Sequence, residues 1–161
     1  MCCNKFQQQI GGTLAECYSN ETSKEENKVK FAFRNKNKSR LTESFCSIKI
    51  DACVDKTQHK KCDYLFIRCN LKHFYFVELK KGGNIPEAYK QIESSIKFIQ
   101  PKIDLKINML ERKIPLSKEN IFGVIAVRSV PRPQSLNLRG FKERFRKIGK
   151  ELIVTERGIE I

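Results

Sequence analysis

Residues 62–69, CDYLFIRC, and 74–80, FYFVELK, are separated by the short polar stretch 70–73, NLKH. Both runs are dense in aromatic and β-branched residues and the stretch between them has turn chemistry, which predicts a β-hairpin. Side chains alternate between the faces of a strand, so Glu78 and Lys80 point the same way. Whether Asp63 joins them depends on register. Pairing of Cys69 with Lys72 or with Phe74 makes opposed residue numbers sum to 141 or 143, which sets Asp63 opposite Glu78 or Lys80. A three-residue loop gives an even sum and turns Asp63 to the other face.

Outward from the hairpin, Gly82 and Gly83 close the second strand, Asn84 can cap and Pro86 suits a first helical turn. The apolar positions Ile85, Ala88, Ile92, Ile96 and Ile99 then recur at helical spacing. Pro101 is expected to stop that helix. Residues 121–130 are a nearly continuous apolar run suited to a strand buried on both faces, closed by Pro131 and Pro133. Leu138, Phe141, Phe145, Ile148 and Leu152 form the stripe of an amphipathic helix over about 136–150, before a strand at 151–155. Upstream, 29–33 and 45–54 alternate as strands, the latter through Ile48, Ile50 and Ala52. Thr13 and Glu16 have capping-box spacing, which predicts a short helix starting near Leu14. Residues 19–40 are polar enough to be a loose arm, basic over 34–40. Strands interleaved with helices predict an α/β class, and 161 residues with 40% apolar or aromatic character suit one domain, 1–161, with its core at about 45–130.

Lysine and arginine number 32 against 18 acidic residues, a formal charge of +14, which favours polyanionic partners through counterion release. Seven cysteines without a CxxC pair predict reduced thiols in a cytosolic protein, with Cys46, Cys53, Cys62 and Cys69 serving as core packing. No apolar segment is long enough to span a bilayer, and two histidines without HExxH give zinc hydrolase chemistry no foundation. A Gly-rich phosphate loop is also absent from the sequence.

Two carboxylates held close on rigid strands repel one another, and a divalent cation relieves that repulsion; oxygen ligands of this kind suit Mg²⁺ or Mn²⁺. A neighbouring lysine can orient an attacking water or steady charge on a phosphate, while a metal acts as Lewis acid. Cys62-Asp63 followed by Glu78-Leu79-Lys80 resembles the PD-(D/E)XK nuclease superfamily, whose site is an Asp at the start of one strand and a Glu-X-Lys on the next. The resemblance covers roughly 48–130 and extends to the next helix, where members place a glutamine near the site, as Gln91 here.

The resemblance implies a central mixed β-sheet flanked by helices, a restriction-endonuclease-like core. It implies that Asp63, Glu78 and the Leu79 carbonyl ligate Mg²⁺ or Mn²⁺, that Lys80 positions the nucleophile, and that Gln91 holds water or the lysine. The activity implied is endonucleolytic hydrolysis of nucleic acid, DNA before RNA, in restriction, phage defence, repair or recombination. Cys62 stands where the family carries proline before the aspartate. Many members add an upstream acid, for which Glu16 and Glu43 are the two choices here. The alternative is a catalytically inactive module of the same fold that binds nucleic acid or a protein.

Arg139, Lys142, Arg146, Lys147 and Lys150 on the last helix are the expected phosphate contacts, set against the solvated face that any amphipathic helix has. Tyr64, Phe66 and Tyr75 are assigned to sheet packing, Tyr89 to packing on its helix, and His73 to an exposed turn far from Asp63. One site per chain implies a homodimer or larger complex for concerted cutting of both strands.

Overall fold

A computed structural model describes residues 2–10, 15–36, 41–54, 56–107, 116–129 and 138–161. In chain order the elements are α1 (Cys2–Ile10), β1 (Tyr18–Ser19), β2 (Ser23–Glu26), β3 (Val29–Arg34), β4 (Phe45–Lys49), β5 (Tyr64–Arg68) and β6 (His73–Lys80). They continue with α2 (Ile85–Ile107), β7 (Ile121–Val127), α3 (Leu138–Phe145), β8 (Glu151–Thr155) and β9 (Ile159–Glu160). The class is α/β. A six-stranded mixed sheet in the order β1-β4-β5-β6-β7-β8 runs antiparallel from β1 to β6 and parallel from β6 to β8. A smaller sheet, β2-β3-β9, joins an antiparallel hairpin to the parallel end strand.

The hairpin 62–80 forms as β5 and β6. Tyr64 opposes Val77 and Arg68 opposes His73, a constant sum of 141. The connection includes Lys72 at a left-handed φ of 54°. Alternation along β6 then sorts two cores. Phe74 and Phe76 join Leu65 and Ile67 beneath the helices, with Phe6 of α1, Ile92 and Ile96 of α2, and Phe145 of α3. Tyr75, Val77 and Leu79 join Tyr64 and Phe66 on the other face, where β3 contributes Val29, Phe31 and Phe33. Among the described residues the helices cover one face of the large sheet and the small sheet covers the other.

All seven residues of β7 are buried, as the continuous apolar run requires of a strand paired in parallel on both sides. Gly123 in its middle makes room for α3: a Cβ there would lie 2.7 Å from Phe145 Cε2 and 2.9 Å from Leu152 Cδ1. The chain turns tightly after Phe145, with the Gly149 amide donating to the Phe145 carbonyl at 2.8 Å and the Lys150 amide to the Ile121 carbonyl at 2.7 Å. That turn ends α3 short of the expected 150, and Leu152 belongs to β8.

Other expectations need correction. Residues 19–36 are not a loose arm: β2 and β3 form a hairpin whose central Asn27 and Lys28 have φ of 51° and 65°, the positive pair a type I′ turn requires. The strand at 45–54 ends at Lys49, and Ala52 takes a left-handed φ of 59° in the turn that follows. Pro101 does not stop α2, which carries on to Ile107 because Ile99 and Ile103 on either side of the proline are both fully buried. The cysteines are largely paired: Cys3 is bonded to Cys46 and Cys17 to Cys53, Cys69 is also disulfide-bonded, and Cys62 is a free buried thiol. Packing thiols are thus wrong for Cys46, Cys53 and Cys69 and right for Cys62, and the ground for expecting a cytosolic protein is removed. Thr13, Leu14, Lys38, Arg40, Pro131 and Pro133 lie outside the described residues. No described helix is long and apolar enough to cross a membrane.

Candidate functional site

Among the described residues the buried polar side chains are Ser47, Lys61, Glu78 and Ser95, and all but Ser47 gather around the start of β5. Residues 61–63 enter that strand over the first turns of α2. The Cys62 amide donates to Ser95 Oγ at 2.8 Å, and Gln91 Nε2 donates to the Lys61 carbonyl at 3.1 Å. Gln91 and Ser95 are four apart on α2, so one helical face holds both ends of this approach. The Ile50 amide donates to the Asp63 carbonyl at 2.9 Å, tying the same residues to the end of β4.

Continuing the hairpin register by one residue sets Asp63 opposite Glu78. The ladder with β5 itself ends at Tyr64 and Val77, which leaves the Leu79 amide without a backbone partner in β5. Asp63 supplies one: its Oδ2 accepts the Leu79 amide at 2.7 Å. A residue in a strand directs its N–H and C=O to the same side, so the Leu79 carbonyl also faces the end of β5 where Asp63 stands. Glu78, 2% exposed, meets Lys80 at 3.0 Å between Oε1 and Nζ, while its Oε2 is buried without a hydrogen-bond partner. Gln91 Oε1 is likewise buried and partnerless. Lys80 reaches on to Glu87 Oε2 at 3.7 Å, and Glu87 also holds Lys60 at 3.2 Å.

Burial pushes the Glu78 carboxyl up to about 8; the Asp63 charge adds to this, and Lys80 and the Asp63 backbone amide oppose it. Burial also raises Asp63, to about 6, against the Leu79 amide, with Glu26, Asp51 and Lys80 as smaller influences. Burial lifts the Cys62 thiol well above its ordinary value. The pair therefore holds a proton near neutral pH that a cation binding between the carboxylates must displace.

Asp63, Glu78, Leu79, Lys80 and Gln91 thus converge, whereas the choices for an upstream acid do not. Glu43 is spent on Arg68 at the opposite end of β5, at 2.6 and 2.9 Å, and Glu16 is exposed in a short 3-10 turn. Glu26, whose carboxylate accepts the Tyr64 hydroxyl and lies 3.8 Å from Lys49, comes nearer. Lys60, Lys61 and Glu87 escaped sequence reasoning; Ser95 falls on the Gln91 face of the helix by its i, i+4 spacing. Among the described residues, no group of three His, Cys, Asp or Glu is placed to hold a metal.

The basic residues are not brought to the carboxylates as one set. Arg139 pairs with Glu143 at 3.0 Å, and Arg139, Lys142 and Arg146 line a groove of about 420 Å³ on the outer side of α3. Lys147 lies in a second groove, between α2 and α3. Lys150 sits over the Phe122 ring, near the start of β7 and so toward the opposite end of the sheet from Glu78, which pairs with Ile125. Tyr64, Phe66 and Tyr75 pack between the sheets as expected, and Tyr89 packs on Phe141 and Phe145. His73 is half-buried against Phe122 instead of exposed, at the end of the hairpin far from Asp63.

No protein-family model, no curated protein and no solved structure matches this chain.

Proposed function

We propose that the chain is a metal-dependent nuclease of PD-(D/E)XK type, hydrolysing phosphodiester bonds in nucleic acid, DNA before RNA, on a restriction-endonuclease-like core. The carrying observation is the buried Glu78, opposed in register to Asp63, with one carboxylate oxygen left without a partner. A core carboxylate is costly unless something compensates it, and Lys80 with the Asp63 backbone amide is only partial compensation while one oxygen stays without a partner. Asp63, Glu78 and the Leu79 carbonyl fit Mg²⁺ or Mn²⁺, since Mg²⁺ keeps several waters and takes one or two carboxylates. When bound, the ion supplies Lewis acidity and a water of lowered pKa.

The chain's own residues do the rest. Asp63, fixed by the Leu79 amide, keeps its second oxygen free of that bond. Lys80, one-fifth exposed at the mouth of the site, holds a positive charge where a phosphate oxygen would lie. Gln91 offers an acceptor to a water proton while its amide keeps residues 61–63 in place. Restriction, phage defence, repair and recombination all suit such an activity, and a dimer or larger assembly suits duplex cutting.

The test is hydrolysis of single-stranded, double-stranded and branched substrates with Mg²⁺ or Mn²⁺ by the wild type and by Asp63→Ala, Glu78→Ala and Lys80→Ala. Activity untouched by all three substitutions refutes the assignment. A second reading, an inactive module of the same fold, draws on the 3.0 Å Lys80–Glu78 ion pair and the lack of a third metal-ligating side chain among the described residues. It predicts nucleic-acid binding indifferent to Glu78 and no heat of Mg²⁺ or Mn²⁺ binding in calorimetry.

A further inference from the structure

Between α2 and α3 runs a groove of about 330 Å³, lined by Tyr89, Lys90, Glu93, Phe141, Arg144, Lys147 and Ile148. Its floor is aromatic, with Tyr89 and Phe141 at 5.2 Å between ring centres, and the Arg144 guanidinium lies over Phe141 at 5.4 Å. Its single acid, Glu93, is paired at 3.2 Å with Lys97, outside the groove. Lys90, Arg144 and Lys147 have no carboxylate partner among the described residues, and all three are exposed. Cations at a helix C-terminus are favourable in themselves, and this accounts for Arg144. It does not account for Lys90, in the second turn of α2, facing two more cations across the groove.

The groove is also linked to the carboxylate site. Lys80 touches Glu87 at 3.7 Å, and Lys90 lies three residues beyond Glu87, one turn along the same helix. The mouth of the site and the groove thus lie one helical turn apart, with Glu87 and its paired lysines between them.

We propose that the α2–α3 groove is the track for the phosphodiester backbone of the strand cut at Asp63 and Glu78, with Lys90, Arg144 and Lys147 as its phosphate contacts. Lys90 and Arg144 thereby join the binding surface, whereas Arg139, neutralised by Glu143, and Lys150, toward the far end of the sheet, leave it. The cutting role rests on the nuclease reading; the binding role does not.

The experiment compares the triple variant Lys90→Ala, Arg144→Ala, Lys147→Ala with Lys28→Ala, Lys30→Ala, Arg157→Ala, which removes the same charge from exposed positions elsewhere. Binding to labelled DNA and RNA single strands and to duplex DNA is read by fluorescence anisotropy across a salt series in EDTA. Three lost phosphate contacts lower the log–log salt slope by about 2 on single strands and weaken binding roughly tenfold or more near 0.1 M salt. The control triple should keep most of the slope. Equal losses on oligo(dT) and on mixed sequences are expected of backbone contacts. Equal weakening by both triples, or none by the groove triple, overturns the proposal, as does a loss confined to one base sequence. Mg²⁺-dependent cleavage of the same strands by the wild type is scored separately. Its absence alongside a groove-specific binding loss sinks the nuclease reading alone, and its presence alongside unaffected binding in the groove triple sinks the groove alone.

Discussion

Replacing Glu78 by glutamine removes a charge from the core while keeping the shape of the protonated acid, so its effect must depend on pH. The group's ordinary value of 4.5 is raised to about 8 in the folded chain, chiefly by burial. Between those values the folded protein holds a proton that the unfolded chain has released, so stability falls as pH rises from 4.5 through about 8. Integrated from about pH 5 to pH 9, this one group costs the wild type roughly 4 kcal/mol. Asp63, raised from 3.8 to about 6, adds a smaller fall in the same direction, but it is common to both proteins. The stability difference, Glu78→Gln minus wild type, should therefore increase by roughly 4 kcal/mol over that range. With a urea dependence of about 2 kcal/mol/M, this is a relative shift of roughly 2 M in midpoint. Urea unfolding followed by circular dichroism in metal-free buffers at each pH measures it. Parallel stability profiles, with a difference constant to within about 1 kcal/mol, would refute the placement of Glu78 in a desolvated site.

Mg²⁺ binding at pH 7 should release close to one proton, roughly 0.9 from Glu78 and under 0.1 more from Asp63, falling toward roughly 0.1 at pH 9. Calorimetry in two buffers of different ionisation enthalpy measures this, and a release independent of pH would contradict it. Serine at Cys3 opens a loop of 43 residues and at Cys17 one of 36, each costing up to roughly 4 kcal/mol in the oxidised protein. Neither should change the stability of protein unfolded in excess reductant by more than about 1 kcal/mol. Valine at Gly123 would drive its side chain into Phe145 and Leu152, with a cost of about 1–3 kcal/mol or more, and the double variant with Phe145→Leu should recover part of it in the same urea assay.

The parts of the fold legible from sequence are those whose side chains carry a period. β6 and β7 announce themselves because nearly every position is apolar and buried. The hairpin register did not, since it turns on the length of the 69–72 connection, which no side chain dictates. β2 reads SKEE and has no apolar residue, so nothing but its turn and its pairing with β3 makes it a strand. In α1, Cys3, Phe6 and Ile10 keep a buried helical face, with Phe6 edge-on to Phe74 at 5.7 Å, but glutamines between them hide that stripe. Pro101 overrode a local rule because losing one backbone bond costs less than exposing Ile103 beyond it. Disulfide partners depend on which distant segments meet, which spacing alone cannot tell.

The site is legible for the opposite reason: it is where the core breaks its own pattern. An alternating strand predicts an apolar residue at 78, beneath α2 and in line with Phe74 and Phe76, and finds glutamate. A strand end predicts a solvated polar residue at 63 and finds an acid whose charge burial opposes. Each departure alone has a bland explanation, as Asp63 capping the Leu79 amide and as Glu78 pairing with Lys80. Together they place two destabilised carboxylates across one register position, with Lys80 neutralising part of one charge. Capping needs only one oxygen of Asp63 and the ion pair only one of Glu78, so local structure uses half of the available acceptors. A fold selected for stability alone would fill position 78 with a valine or isoleucine and lose nothing that the hairpin needs. The acid is retained against roughly 4 kcal/mol at high pH, where the folded carboxylate is charged, and a divalent cation held there as proposed would offset that charge.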